Sequence, residues 1–329
     1  MTQYFTLSII ISLSVFITAC ASTAQPKPDG DENPSLRNLD IRLDRYIEQL
    51  SSADANQRAW AAYKIGKSAK FAMKAIPALV AILNDNATAV MSRNLGQNFT
   101  SATSTTPSDE AVKALAKIGR PAVKPLITSL QSNDKTTQLK AIKALGLIKD
   151  NDSIKPLVVF LNHSDRRIRL EAANSLSRFN NPWLAEYFLK GLKSNKPEIQ
   201  ATALYAIGKL KNPATVPALI DLLKKKDSVM RSQLLYIVSQ FRDERIVKPL
   251  IVESRSGTIK ERLEVINVLG NVRDYRVIEH LLHLLKDKNK SIRIAAADAL
   301  VQISGVELGV SVAKWQRWWD NKLKRSQRK

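Results

Sequence analysis

The sequence predicts an all-α protein, an α–α superhelix of about eight helical hairpins with a 31-residue period. Three observations predict this class. Apolar residues recur in fixed columns, they have helical spacing within each unit, and an Asp or Asn recurs in the turns. Two of the columns are Leu145, Leu176, Ile207, Val238, Leu269, Leu300 and Leu126, Leu157, Phe188, Leu219, Leu250, Leu281.

Each unit is predicted to contain two amphipathic helices. Residues 141–148 place apolar side chains at helical spacing, and residues 154–161 do so again after a short turn. An Asx residue in that turn indicates a helix start, because its side chain accepts hydrogen bonds from unpaired first-turn amides. Two such helices bury their apolar faces only when neighbouring units stack side by side. The Asx residues are Asp150, Asn181, Asn212, Asp243 and Asp274.

Short motifs recur in the same register. Ala-Leu-Gly stands at 144–146, Ala-Ile-Gly at 206–208, and Lys-Pro-Leu at 124–126 and 155–157. These motifs resemble HEAT-like repeats of the type named after phycobilisome lyases, and the resemblance covers roughly residues 54–304. It implies a HEAT/armadillo-type solenoid and says little about function, since this repeat is a general scaffold.

The repeat body is predicted at residues 39–313, with irregular segments inside it and after it. Residues 84–108 form a polar insertion rich in Ser, Thr and Asn, which is either a functional loop or a disordered one. Residues 314–329 are predicted as a Trp-rich cap and basic tail. Trp315, Trp318 and Trp319 share one helix face, and closing the end of the core is favoured over stacking on a ligand.

The first 19 residues carry no charged side chain, and their apolar stretch from Thr6 to Ala19 has 14 residues. That is shorter than the ~20 helical residues that span a bilayer, and it suits a signal peptide, predicted at 1–19. The segment leads to Cys20, the one cysteine, and Ile17-Thr18-Ala19-Cys20 resembles the lipobox of bacterial lipoproteins. The polar residues 20–38 are predicted as the lipidated Cys and a flexible tether.

The lipobox resemblance implies cleavage before Cys20 and acylation of that residue. Ala21 follows it, where an Asp would retain many such lipoproteins in the inner membrane, so the outer membrane, facing the periplasm, is the expected location in a Gram-negative host. Ordinary signal cleavage at Ala19-Cys20-Ala21 is the alternative, and it also exports the protein.

Basic charge is distributed unevenly. The chain has 51 Lys and Arg against 30 Asp and Glu, which gives a net charge of +21. The net charges of five turns between units sum to +8, whereas those of five turns within units sum to +1. Equivalent turns align along one side of a solenoid, so the sequence predicts a basic edge that attracts polyanions. The candidate residues of this basic edge are Arg166, Arg167, Lys193, Lys196, Lys224, Lys225, Lys226, Arg255, Lys286, Lys288 and Lys290.

A second basic column is interpreted as part of the scaffold, not of a site. Its Arg residues follow the turns between units, and Asp165 and Arg169 have the i, i+4 spacing of a helical ion pair. The column consists of Arg169, Arg231, Arg262 and Arg293.

The composition disfavours catalysis. One Cys and three His leave little for a metal centre, and Glu279-His280…His283 lacks a third ligand at matching repeat positions. No catalytic residue, cofactor or metal is therefore predicted. HEAT-like relatives that hydroxylate a modified lysine hold iron through His-Glu pairs, and no His is followed by Glu in this sequence.

The sequence thus predicts a non-catalytic, lipid-anchored scaffold of the cell envelope. Its expected partner is an acidic protein, or an anionic membrane or polysaccharide surface, held at the basic edge or on a helix face. Two alternatives stay open. One is nucleic-acid binding, as in HEAT-like DNA glycosylases, and the other is an enzyme of the phycobilisome-lyase type.

Overall fold

The computed structural model describes most of the chain. The predicted signal peptide and Cys20 lie outside the described residues, as do Lys225 and Lys226 of the basic edge. The chain divides into two compact units, residues 1–41 and 42–329. The described ranges are 34–94, 100–179, 181–224, 228–241 and 243–326.

The described part of the first unit is the beginning of helix α1, Pro34–Gln49. The tether was predicted to extend to residue 38, but residues 34–38 belong to α1.

The second unit continues with consecutive helix pairs. In its described residues, α2 to α17 make eight pairs, which confirms the predicted α–α superhelix of about eight helical hairpins. The first helices of the pairs are α2 (Ala55–Lys67), α4 (Pro107–Ile118), α6 (Lys135–Ile148), α8 (Arg166–Leu176), α10 (Pro197–Leu210), α12 (Ser228–Ser239), α14 (Ile259–Val272) and α16 (Lys290–Ser304). The second helices are α3 (Ile76–Ala81), α5 (Val123–Ser129), α7 (Ile154–Val159), α9 (Pro182–Gly191), α11 (Val216–Leu223), α13 (Val247–Glu253), α15 (Ile278–Leu284) and α17 (Val312–Ser326).

The recurring Asx residues cap the turns within the pairs, as predicted. Each accepts a hydrogen bond from the amide two residues further on, for example Asp274 from Arg276 at 2.8 Å. In most pairs a 3-10 turn follows the cap and leads into the second helix, as at Tyr275–Val277 before α15. Capping at this point satisfies first-turn amides that have no partner within the helix.

One continuous hydrophobic core runs through the second unit, from Leu43 to Trp319. Near its end, α17 brings Trp315 into the core with no exposed surface, and its indole Nε1 donates to Gly309 O at 2.7 Å. Trp319 is also buried, and its ring stacks on Tyr275 at 6.3 Å between ring centroids.

Small residues let neighbouring first helices approach closely. A Cβ on Gly146 of α6 would lie 2.7 Å from the Cα of Ser175 in α8, and one on Gly270 would lie 3.0 Å from the Cα of Ala299. Ser175 uses the same proximity to donate to Ile142 O at 3.0 Å. The glycine column thus sets the spacing between repeats.

The polar insertion at 84–108 contains an antiparallel hairpin. Strand β1 (Ala89–Asn94) pairs with β2 (Thr100–Thr105), so that Ala89 lies opposite Thr105. The amide of Val90 donates to Asn56 Oδ1 of α2 at 2.7 Å, and Ala89 and Met91 are buried against that helix. The described part of the insertion is therefore a folded hairpin attached to α2, which argues against the disordered alternative and leaves the functional one as a prediction.

Candidate binding edge

Ion pairs join neighbouring turns along the edge where one repeat leads into the next. Lys135 Nζ lies 3.4 Å from Asp165 Oδ2 of the following repeat, and Arg262 Nη2 lies 2.6 Å from Asp287 Oδ2. Each pair joins the start of the first helix of one repeat to the turn that leads into the following repeat. The turns between repeats therefore lie side by side, as the prediction of one continuous edge requires.

The Arg column supports these turns from inside. Arg169 Nη1 donates to His163 O and Ser164 O, both at 2.8 Å, and Arg293 binds the carbonyls of Asp287 and Lys288 in the same way. These guanidinium groups satisfy carbonyls of the turns between repeats, which is a scaffold role.

The predicted ion pair between Asp165 and Arg169 is wrong. Asp165 accepts from the backbone N–H of Arg167 at 2.9 Å and pairs with Arg167 and Lys135, both at 3.4 Å. The backbone bond, helped by Arg167, lowers the pKa of Asp165 to about 2. As the cap of α8, the carboxylate points back toward the helix start, whereas Arg169 is directed to the carbonyls of the turn.

The described residues of the basic edge are all exposed. Arg167 is partly compensated by Asp165, and Lys224 by Asp221 at 3.2 Å. The others have no ion pair with any described residue, and they occur in the turns before α8, α10, α14 and α16. These uncompensated cations are Arg166, Lys193, Lys196, Arg255, Lys286, Lys288 and Lys290.

The opposite edge, made by the turns within pairs, has a different charge arrangement. Arg245 lies 2.6 Å from Asp243, and Arg276 contacts both Asp274 and Glu244, at 2.6 and 2.5 Å. These short pairs hold the carboxylate pKa values of Asp243 and Asp274 below their usual range. Acids and bases largely neutralise each other here, which leaves excess positive charge on the basic edge.

Two depressions adjoin the basic edge. One, of about 480 Å³, lies between two successive turns and is lined by His163, Arg169, Lys196 and Glu198, among others. The second is an apolar groove of about 640 Å³ across α8, α10 and α12, and Arg166 lies on its wall. The groove passes over small or apolar residues such as Ala201 and exposes the ring of Tyr236.

Two of the His residues make hydrogen bonds that support the local structure. His280 Nε2 is 2.6 Å from Ser254 Oγ, and burial, with Arg255 nearby, lowers its pKa to about 4. His163 Nδ1 accepts from the amide of Asp165 at 2.9 Å. Within the described ranges, no three His, Cys, Asp or Glu side chains converge as metal ligands.

Sequence reasoning missed three cations on the opposite edge. Lys149, Lys211 and Arg273 end helices α6, α10 and α14 in the left-handed conformation, with φ near 50–60°. Glycine is the usual residue at such positions, because it has no Cβ to clash there. The sequence did contain a signal for these three cations, because they recur every 62 residues, or two repeats. Gly146, Gly208 and Gly270 recur with the same spacing, three residues earlier.

Some solved structures are similar to this chain. Yeast importin-beta (Kap95p) is 13% identical over 88% of this chain and 45% of that chain, with a TM-score of 0.50. Human deoxyhypusine hydroxylase in complex with glycerol is 14% identical over 83% and 99%, with a TM-score of 0.34. The CpcE–CpcF complex of phycocyanin lyase from Nostoc sp. PCC7120 is 18% identical over 92% and 99%, with a TM-score of 0.29.

These likenesses concern the fold, and the chain spans less than half the length of the importin-beta chain. No curated protein matches the sequence. In the part of the chain that the structure describes, no helix is both long and apolar enough to cross a membrane. A family model described as HEAT repeats matches residues 123–187, 185–255 and 247–312, which is more than half of the chain. The chain therefore belongs to the HEAT-repeat family.

Proposed function

We propose that this HEAT-repeat protein is a non-catalytic scaffold that binds an acidic protein segment along its basic edge. The observation that carries the proposal is the contrast between the two edges. Acids and bases on the edge of Asp243 and Asp274 form short ion pairs, whereas cations such as Lys193, Lys196 and Lys288 have none with described residues. Such cations attract and orient an acidic partner.

An acidic protein fits this surface better than nucleic acid does. Arg166 belongs to the basic edge and also lies on the wall of the apolar groove, beside Leu170 and Tyr205. A polypeptide offers acidic and apolar side chains together, so it would engage both. Lys outnumbers Arg on the edge, and Lys makes a point-charge contact in place of the bidentate contacts that read bases.

The proposed location is the cell envelope, with the protein anchored through acylated Cys20 in the outer membrane and facing the periplasm. The support is the signal-like segment before Cys20 and its resemblance to a lipobox. Acyl labelling and membrane fractionation of wild type and Cys20→Ser test this. Labelled, membrane-bound wild type and an unlabelled variant are expected; unlabelled wild type in the cytosol would overturn the location and reopen nucleic acid as the partner.

The binding proposal is tested with the full-length protein and poly-L-glutamate as the acidic probe. The edge variant carries Lys193→Glu, Lys196→Glu and Lys288→Glu. The matched control carries Lys124→Glu, Lys155→Glu and Lys248→Glu, three exposed lysines on second helices with the same change in net charge. We expect at least tenfold weaker binding by the edge variant than by the control. Equal affinities would contradict a specific role of the basic edge.

A further inference from the structure

We propose that the edge formed by the turns within pairs holds a separate binding site for an anionic carbohydrate. The site is a polar cleft of about 940 Å³ that crosses the turns of three consecutive pairs. It lies at the other end of the helices from the basic edge, does not rest on the acidic-protein proposal, and shares Tyr236 with the apolar groove. Its principal side chains are Lys211, Tyr236, Gln240, Asn271, Arg273 and Tyr275.

The backbone around the cleft is tied together. Arg245 Nη2 donates to Pro213 O at 2.8 Å, and Arg276 Nη1 contacts Glu244 Oε2 at 2.5 Å. Each contact joins one turn to its neighbour, so the turns of α10, α12 and α14 are held in fixed register. A site held in place before binding loses less conformational entropy when a ligand arrives.

Lys211 and Arg273 are the anion-binding groups. Both are exposed, and neither has an ion pair with a described residue. The carboxylates beside them are already engaged, Asp243 by Arg245 and Asp274 by Arg276. Glu244 also lines the cleft and is paired with Arg276, so the acids of the lining are all engaged. Lys211 and Arg273 are then the cations of the lining that an incoming carboxylate or phosphate would meet without an ion-pair partner among the described residues.

The two cations have a left-handed backbone conformation, which they share with Lys149. Each occupies a left-handed position where glycine would be less strained, with φ of 50° for Lys211 and 55° for Arg273. Glycine at either position would therefore remove the cation and keep the backbone conformation.

The remaining groups of the cleft suit a sugar ring. Tyr236 is 66% exposed, and an exposed aromatic ring can stack on the C–H face of a sugar. The ring of Tyr275 already stacks on Trp319 and has Lys322 Nζ 5.2 Å from its centroid, so Tyr236 is the stacking residue of the cleft. Gln240 and Asn271 are exposed amides, each of which both donates and accepts hydrogen bonds, as sugar hydroxyls require. The volume admits a short oligosaccharide, and a uronic-acid oligomer combines the hydroxyls with the anionic group.

The test measures binding of tetragalacturonate to the full-length protein by titration calorimetry. Maltotetraose serves as the neutral sugar and tetraglutamate as the anion without a sugar. The variant is Lys211→Gly with Arg273→Gly, which keeps the backbone conformation favourable. Its matched control is Lys149→Gly, at a left-handed position of the same edge, two repeats before Lys211 and outside the cleft.

We expect the double variant to bind tetragalacturonate at least tenfold more weakly, Tyr236→Ala to weaken it as well, and Lys149→Gly to leave it unchanged. Tetragalacturonate should bind at least tenfold more tightly than maltotetraose or tetraglutamate. Equal binding by wild type and the double variant would overturn the proposal, as would equal affinity for tetraglutamate. The edge variant of the acidic-protein test should bind the sugar normally, so failure of one proposal is distinguishable from failure of the other.

Discussion

Arg262 at the start of α14 reaches the next turn between repeats, and its Nη2 atom lies 2.6 Å from Asp287 Oδ2. Both side chains are less than one-fifth exposed, and Arg262 Nε also donates to Ser254 O at 2.9 Å. One guanidinium therefore binds two consecutive turns between repeats, the one before α14 and the one after α15. Contacts of this kind link neighbouring turns of the basic edge.

Breaking that contact should destabilise the repeat stack. Asp287→Asn is expected to lower the free energy of unfolding by about 1–3 kcal/mol, because it leaves a largely buried guanidinium without its charged partner. Arg262 lowers the pKa of Asp287, so the stabilisation is present above the unfolded pKa and is lost as pH falls through the folded value. Urea unfolding at neutral pH measures the change.

The control for this prediction is Arg120→Gln. Arg120 pairs with Asp150 at 3.5 Å, but its side chain is 81% exposed. Solvent screens such a pair, so a change below about 1 kcal/mol is expected. Equal losses in the two variants would mean that burial does not determine the strength of these contacts.

The glycine column predicts a difference between two identical substitutions. Gly146→Ala would force the new Cβ against the Ser175 backbone, which cannot move without shifting α8, and should cost about 1–3 kcal/mol. Gly208→Ala clashes with the Cδ1 end of the Ile237 side chain and meets its two Cγ atoms at 3.4 and 3.5 Å, so side-chain repacking and better helix propensity should keep it near neutral. Thermal unfolding of both variants checks this; a more stable Gly146→Ala would refute the close-packing role.

Relief of left-handed strain should stabilise the fold. Lys149→Gly is expected to raise the free energy of unfolding by about 0.5–1 kcal/mol, because removing the Cβ relieves more strain than the added freedom of the unfolded chain offsets. Urea unfolding compares it with Lys155→Gly, a substitution at an exposed position inside α7, which should destabilise. Destabilisation by both would argue against strain at Lys149.

Stability should depend on pH through His280. Its folded pKa is lowered to about 4 by burial, with smaller contributions from Arg255, His283 and Arg262. Between the ordinary value of 6.5 and about 4, the unfolded chain binds a proton that the folded chain does not, so stability falls as pH falls. The slope should approach ~1.4 kcal/mol per pH unit. His280→Gln should remove this component of the pH profile; an unchanged profile would assign it to other groups.

The repeat architecture was predictable because its determinants are periodic. Leu145, Leu176 and their equivalents are buried in the core, and Asp150 and its equivalents cap turns, since each depends on local spacing. The hairpin at Ala89 was not predictable from composition, because Ser and Thr suit both loops and strands. What folds it is packing of Ala89 and Met91 on α2, a long-range contact.

The candidate sites were predictable to different degrees. Equivalent turns align in any solenoid, so Lys193 and Lys288 could be assigned to one edge from sequence. The sequence could not predict whether each charge is compensated by an ion pair. Arg276 contacts Glu244 of the preceding turn, and Asp165 is directed away from Arg169. Those choices depend on side-chain direction, which spacing along the chain does not specify.

The central claim is that uncompensated cations on the basic edge bind the acidic partner, and salt dependence tests it most directly. The affinity of the full-length protein for poly-L-glutamate is measured from low to high salt for wild type, the edge variant and the matched control. Wild type and control should lose affinity steeply with salt, and the variant with Lys193, Lys196 and Lys288 reversed should show a shallower dependence. The same steep dependence in all three proteins would contradict the account.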